Sequence, residues 1–169
     1  MNDIKELKLT FWSHIKMIWL ALLMYAFFVF FTVYLYTPEK PTILLIFGIP
    51  FVFLILPVFY IHYNYNAYSE GISYQLKRNV SITKFQNDSK NVYDVNDFEQ
   101  FKLIATKSKL LHLSNKMLFD DYYYVILELK NGEELIFTCL YSSEIYNLLK
   151  SYFPNVPIKE GGFFYPNIS

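Results

Sequence analysis

The 169-residue sequence is poor in cysteine and arginine and carries no net charge. Cys139 is its single cysteine, so no disulfide can form within the chain and nothing indicates an oxidising compartment. Arg78 is its single arginine, the residue type best suited to two-point recognition of phosphate. Its 15 basic side chains are matched by 15 acidic ones, so nucleic acid is not an expected partner.

The sequence also lacks the patterns of catalytic and metal sites. It has no nucleophile elbow, no glycine-rich phosphate loop and no histidine pair at metal-ligand spacing, and His14, His62 and His112 are each interpreted as isolated. The adjacent Asp120 and Asp121 are more typical of a solvated turn than of an acid–base pair. We therefore expect no enzyme activity, no bound metal and no cofactor.

Two long runs without charge dominate the first third of the chain. They cover Met17–Tyr36 and Thr42–Tyr63 and flank a break at 37–41. Because about 20 apolar residues let a helix cross the hydrocarbon core of a bilayer, the pattern predicts a transmembrane helical hairpin over 17–67. A cleaved signal peptide fits less well, because the first run is longer than an h-region and has no small-residue cleavage site before Thr37.

The flanks of these runs predict how the hairpin sits in the membrane. Residues 1–16 are predicted to form a helical lead-in at the interface. Aromatic residues are typical of interfacial belts, and the candidate anchors are Trp12, Trp19, Tyr34, Tyr36, Tyr63 and Tyr65. Lysines lie before the first apolar run and after the second, whereas the break between the runs has only Lys40, offset by Glu39. The positive-inside rule therefore predicts an inner-membrane protein with both termini in the cytoplasm. Pro50 and Pro57 predict a kinked second helix, with a gating hinge as a less favoured alternative.

After Tyr68 the hydrophobic periodicity changes from helical to alternating, which predicts a separate domain over 68–156. The predicted strands are Gly71–Leu76, Val80–Phe85, a strand around Phe98–Thr106, Tyr122–Lys130 and Glu133–Leu140. Residues 86–90 are predicted as a loop. Ser142 or Ser143 is expected to cap a final helix that Pro154 ends, and 157–169 is expected to be an extended aromatic tail that docks on its own domain or on lipid.

Asn131-Gly132 is the strongest local signal, because this pair favours a type I′ turn between two strands. That turn predicts Lys130 opposite Glu133. It also predicts that Phe137 shares a face with Tyr124, while Ile136 shares the other face with Val125 and Leu127. Both faces are partly apolar, so we expect the second face to be covered by the final helix, the tail or the membrane.

The order of short strands, Asn-Gly hairpin and closing helix resembles a pleckstrin-homology-like domain. The residues that carry the resemblance are Gly71-Ile72-Ser73-Tyr74, Tyr122–Leu140 and Leu148–Pro154. The whole chain is similar to bacterial membrane proteins with two N-terminal helices followed by such a domain. The resemblance implies an α+β fold in which a small curved antiparallel sheet or barrel is closed by a helix, and a scaffold for lipid or protein contacts without a catalytic centre.

Some members of this family bind phosphoinositides through basic residues on the first two strands and their turn. The resemblance implies that Lys77, Arg78 and Lys84 lie at comparable positions, although the usual arginine of the second strand has no counterpart. Together with Tyr124 and Phe137 they are the candidate lipid or partner contacts.

The sequence thus favours a membrane-anchored, non-enzymatic adaptor that binds an unidentified protein at the cytoplasmic face of the bilayer. Two alternatives stay open: a module that senses anionic lipid or envelope stress, and a membrane immunity protein that neutralises a toxin. Self-association into a homo-oligomer is also left open.

Overall fold

The structure is a computed structural model that describes residues 3–35, 42, 46, 48, 49, 51–113 and 117–168. The break at 37–41, Pro50 and Tyr36 lie outside the described residues. The described helical segments are α1 (Phe11–Leu35), a π-helical turn (Phe51–Ile55), α2 (Leu56–Ser69), α3 (Lys107–Leu110) and α4 (Ile145–Tyr152). The described strands are β1 (Ile4–Lys8), β2 (Ile72–Lys77), β3 (Ser81–Gln86), β4 (Ser89–Asp94), β5 (Phe98–Thr106), β6 (Tyr123–Leu129), β7 (Glu134–Thr138) and β8 (Ile158–Phe163).

The strands form two four-stranded sheets, which makes the chain α+β. The first sheet has the order β1-β2-β3-β4 and is antiparallel throughout. The second has the order β7-β6-β5-β8, in which β8 lies parallel to β5. Helix α4 buries Ile145, Leu149 and Tyr152 against the sheets and ends just before Pro154, as predicted. Its N-cap is Glu144, whose N–H donates to Ser142 Oγ, so neither predicted serine caps the helix itself.

The helical lead-in predicted for residues 1–16 is wrong over β1. This strand pairs with β2, with Leu7 opposite Tyr74. Leu7 is buried while the other four residues of β1 are exposed, so one side chain and the backbone ladder hold the strand in place. Pairing at the sheet edge overrides the weak helical pattern of so short a segment. Along the chain, the apolar helices therefore come between β1 and β2, which are neighbours in the first sheet.

The two apolar helical arms pack side by side and antiparallel. Phe28 stacks on Phe51 with ring centroids 4.7 Å apart, and Tyr25 contacts both Phe51 and Phe59. The π-helical turn ends at Ile55, and α2 begins just before Pro57, which cannot donate a backbone hydrogen bond. Among the described residues, one helix, Phe11–Tyr34, is long and apolar enough to cross a membrane by length and composition.

One face of α2 packs on the second sheet. Val58, Ile61, Tyr65 and Ser69 recur at helical spacing and are all buried. Ser69 Oγ lies 2.8 Å from Thr138 Oγ1, which joins the end of the helix to β7. The second face of the β6–β7 pair is therefore covered, as predicted. Helix α2 covers part of it, and the C-terminal tail covers another part, where Tyr124 OH donates a hydrogen bond to Asn167 O.

The loop of the β6–β7 hairpin is one residue longer than the two-residue type I′ turn that the sequence predicts. Of the pair Asn131-Gly132 only Gly132 has a positive φ, at 86°, and its N–H donates to Leu129 O. This is a type I turn followed by a glycine bulge, with a three-residue loop. The ladder consequently pairs Leu127 with Leu135 and Val125 with Phe137, so the predicted faces of β7 are exchanged. Lys130 leaves the ladder and donates from Nζ to Asn96 O.

A two-residue turn with both φ angles positive occurs instead between β3 and β4. Asn87 and Asp88 have φ values of 45° and 38°, and Gln86 pairs with Ser89 across them. These features are typical of a type I′ turn, and asparagine and aspartate tolerate the left-handed region better than most residues. The loop predicted over residues 86–90 is therefore wrong beyond this turn, because β4 begins at Ser89.

Candidate functional site

A groove lies where the end of α2 meets the first sheet and the edge of the second sheet. We call it the β7 groove. It has a volume of about 430 Å³ and is lined by Tyr68, Ile72, Tyr74, Lys84, Glu134 and Ile136. Its residues come from three sequence regions, so no contiguous motif marks it.

The outer edge of β7 supplies backbone hydrogen-bonding groups to the groove. Within the described residues β7 ends the second sheet, with β6 as its strand neighbour. Leu129 N–H donates to Glu133 O and Cys139 N–H donates to Tyr123 O, so the odd-numbered residues of β7 bond to β6. In an antiparallel ladder the intervening residues, Glu134 and Ile136, then direct their backbone groups away from β6. Ile136 O accepts a hydrogen bond from Tyr74 OH at 3.1 Å, which shows this orientation directly.

Side chains of opposite charge stand on two walls of the groove. Lys84 is the ladder partner of Tyr74 and therefore shares its inward face of the first sheet. Glu134 lies on the β7 wall and is exposed. Burial, and next to it the Tyr141 hydroxyl, raises the pKa of Tyr74 well above its ordinary value, so this tyrosine acts in the groove as a neutral hydrogen-bonding group.

Lys77 and Arg78 do not line the groove and lie at the end of β2 that is remote from α2. Six residues of strand separate the end of α2 from this turn, a distance of about 20 Å. Arg78 Nη2 is 3.0 Å from Asp3 Oδ2, and its guanidinium lies 5.1 Å from the centre of the Tyr152 ring. The structure therefore does not bring Lys77 and Arg78 together with Lys84. The turn also joins the second and third strands, because β1 is the first, so it does not match the position that the resemblance implied.

Two further candidate contacts, Tyr124 and Phe137, are buried. Phe137 is 0 % exposed and packs against Tyr74 with ring centroids 4.4 Å apart. Tyr124 is covered by Tyr65 and by the tail. Both belong to the core, so the interpretation of these residues as surface contacts is wrong.

The predicted aromatic anchors divide into two groups. Trp12, Trp19, Tyr34 and Tyr63 are exposed side chains on the helices. Tyr65 instead is fully buried between Tyr122 and Tyr124, and its OH donates to Pro166 O at 2.7 Å. Tyr65 is therefore a core residue that binds the tail, and its interpretation as an interfacial anchor is wrong.

A histidine pair that the spacing analysis missed links the two helices to the sheet domain. His14 Nδ1 is 3.1 Å from His62 Nε2, and His62 Nδ1 is 2.9 Å from Tyr122 OH. Burial, and next to it the neighbouring His14, lowers the pKa of His62 from 6.5 to about 4. The two histidines stand almost equally far from the break at 37–41. Folding the predicted hairpin at that break would have brought them together.

Cys139 follows β7 and is buried. Burial raises the pKa of its thiol to about 12, so the thiolate that a nucleophile requires is disfavoured. The residue packs as a small apolar side chain.

Comparison with known proteins adds one match. A family model described as PH domain matches residues 6–145, which runs from within β1 to the first residue of α4 and includes the apolar helices. Searches of curated proteins and of solved structures return no match. The match covers most of the chain and takes in the first sheet and strands β5–β7 of the second, while β8 and all of α4 but Ile145 follow it. The protein therefore belongs to the PH domain family.

Proposed function

We propose that this chain is a membrane-anchored, non-enzymatic adaptor that binds a protein partner in the β7 groove at the cytoplasmic face of the membrane. PH domains commonly bind lipids or proteins and are generally not catalytic, so membership of the family favours a binding role. The observation that carries the choice of site is the combination of an open strand edge with oppositely charged walls in one groove.

The geometry favours an extended peptide as the bound element. A strand that lies along the outer edge of β7 would bond to the backbone groups of Glu134 and to the N–H of Ile136, as in other complexes formed by strand addition, while Ile136 O stays bonded to Tyr74 OH. Lys84 and Glu134 would then select a segment that carries an acidic and a basic side chain. Ile72 and Ile136 offer apolar contact between these charges.

Membrane anchoring is proposed from the apolar helices. The exposed apolar surface of α1 and the charge-free run of residues 42–59 are long enough to enter a bilayer together. Because β1 pairs with β2 while the tail binds α2, both ends of the chain belong to one domain. Both termini would then lie on the same side of the membrane, and the lysines near the helix ends favour the cytoplasmic side.

The lipid-sensing alternative through Lys77 and Arg78 has less support. The two residues lie about 20 Å along β2 from the end of α2. Arg78 also already pairs with Asp3. A bilayer that holds the helices would meet the opposite end of the sheet domain first.

Charge reversal in the groove tests the proposal. We would crosslink and co-purify partners from native membranes with the full chain, with Lys84→Glu and with Glu134→Lys. We expect a discrete crosslinked partner with the unchanged chain and its loss with either substitution. Lys90→Glu is the matched control, because Lys90 is an exposed lysine on β4 that faces the other side of the first sheet. Equal capture by all four proteins, or capture by none, would contradict this function.

A further inference from the structure

An exposed aromatic patch forms where the tail turns back toward the helices. We call it the tail patch: Met117, Phe163, Phe164 and Tyr165. All four side chains are exposed, and Phe164 is exposed to 73 %. Phe164 and Tyr165 contact Phe119, whose ring is buried, while Met117, Phe163 and Phe164 share one wall of a cavity of about 500 Å³. Large apolar patches of this kind mark contact sites rather than ordinary protein surface.

The tail patch is held beside the apolar helices by hydrogen bonds. Asn64 Nδ2 donates to Ile168 O at 3.0 Å, and Ile168 N–H donates to Asn64 Oδ1 at 2.9 Å. Tyr65 OH donates to Pro166 O. The residues after the patch are thus fixed to α2 within two turns of Tyr60, whose ring is itself exposed. The residues that follow the patch are therefore bonded to a helix that also carries the exposed side chains of Leu56 and Tyr60.

The tail patch also has a basic neighbour. The Lys107 side chain lies against the glycine pair of β8, because a Cβ on Gly162 would come within 3.0 Å of Lys107 Cγ. Lys107 is exposed and lines the same cavity as Phe163 and Phe164. A cation beside exposed aromatic rings fits the headgroup layer of an anionic leaflet, where aromatic side chains concentrate.

We infer that the tail patch enters the headgroup layer of the same leaflet from which the helices emerge, so that the sheet domain is held to the membrane at a second place. This inference rests on the proposed membrane anchoring and adds the lipid surface as the occupant of the patch. The domain would then have a fixed orientation, with the β7 groove beside the bilayer and the Lys77-Arg78 turn directed away from it.

Quenching by brominated lipid tests the inference on the full chain. Single-tryptophan proteins are reconstituted into vesicles of phosphatidylcholine and phosphatidylglycerol, with brominated phosphatidylcholine as the quencher. Phe164→Trp, in a background of Trp12→Phe and Trp19→Phe, reports on the tail patch. Val80→Trp in the same background is the control, because Val80 lies at the far end of β2 and β3. A chain that keeps only Trp19 reports on the helices.

We expect the Trp19 and Phe164→Trp proteins to lose most of their emission and the Val80→Trp protein to lose almost none. Quenching at Trp19 without quenching at position 164 would overturn this inference and leave the anchor intact, whether the patch is bare or covered by a second copy of the chain. No quenching at Trp19 would instead overturn the anchoring itself. Met117→Trp supplies a second probe of the patch if Phe164→Trp does not fold.

Discussion

The helices α1 and α2 differ both in composition and in surroundings, since α1 is apolar almost throughout whereas α2 includes Asn64 and Asn66. In the most apolar window of α1, 6 % of the residues are buried. In α2, by contrast, Ile61 and Tyr65 are completely buried against the sheet domain, and they belong to the same hydrophobic cluster as Leu127 and Phe137. The uniformly apolar helix is thus the exposed one, and the helix that completes the protein core has a buried apolar face and a more polar opposite face.

This difference has a consequence for how the chain divides. The sequence predicts a hairpin over 17–67 and a separate domain over 68–156. In the structure β1 pairs with β2, and α2 carries core side chains on one face. The helices and the sheet domain therefore share one packed interior.

The largest effect is expected from removing this shared region. Deleting residues 1–67 takes away β1 together with Val58, Ile61 and Tyr65, so the remainder should aggregate rather than become a soluble domain. Replacing residues 22–54 with a flexible linker is the control, because it keeps β1, Ala21 and the buried half of α2. We expect this second protein to be soluble and to unfold cooperatively, as measured by circular dichroism during heating. A cooperatively folded 68–169 fragment would contradict the shared interior.

Single truncations in the two helices compare them directly. Ile61→Ala should lower the free energy of unfolding by about 2–5 kcal/mol, because it leaves a cavity beneath α2. Leu23→Ala on α1 should change it by less than about 0.5 kcal/mol, because Leu23 is exposed. Denaturant unfolding in the same detergent micelles measures both. Similar losses for the two variants would mean that α1 also packs in a protein core.

A smaller effect is expected from pH, through His62. Since its pKa falls from 6.5 to about 4 on folding, the unfolded chain binds more protons between these values, and stability should decline as the pH falls from 6.5 toward 4. The groups that face His62 are His14 from α1 and Tyr122 ahead of β6, and neither is a carboxylate. His62→Gln should flatten this decline relative to the unchanged chain, as measured by thermal unfolding across that pH range. Superimposable profiles would show that His62 does not titrate as described.

Local patterns identified most of the strands. β5 occupies the predicted Phe98–Thr106, and β2, β3 and β6 begin within about one residue of their predicted starts. These strands have alternating burial or strongly β-favouring residues, so the local signal agrees with the final packing. The family could also be recognised, because strand order and the closing helix are features of the chain as a whole.

The missed features depend on contacts between distant residues. β1 is a strand because the edge of β2 is available to it, and Tyr65 is buried because the tail and β6 cover it. The hairpin at Gly132 shifted by one residue because Asn131 keeps a negative φ, which local preference does not decide. The β7 groove combines α2, two strands of one sheet and the edge of the other, so no stretch of sequence contains it.

The pairing of β1 with β2 also sets an order of events during synthesis. Ile4 emerges from the ribosome well before its ladder partner Lys77, which follows only after both apolar helices have been made. The edge strand β1 cannot pair until those helices have been made, since the chain reaches β2 only through them. Contacts so distant in sequence form slowly. Pairing of β1 therefore waits for both helices, and a chain whose synthesis stops within them would leave β1 without its partner strand.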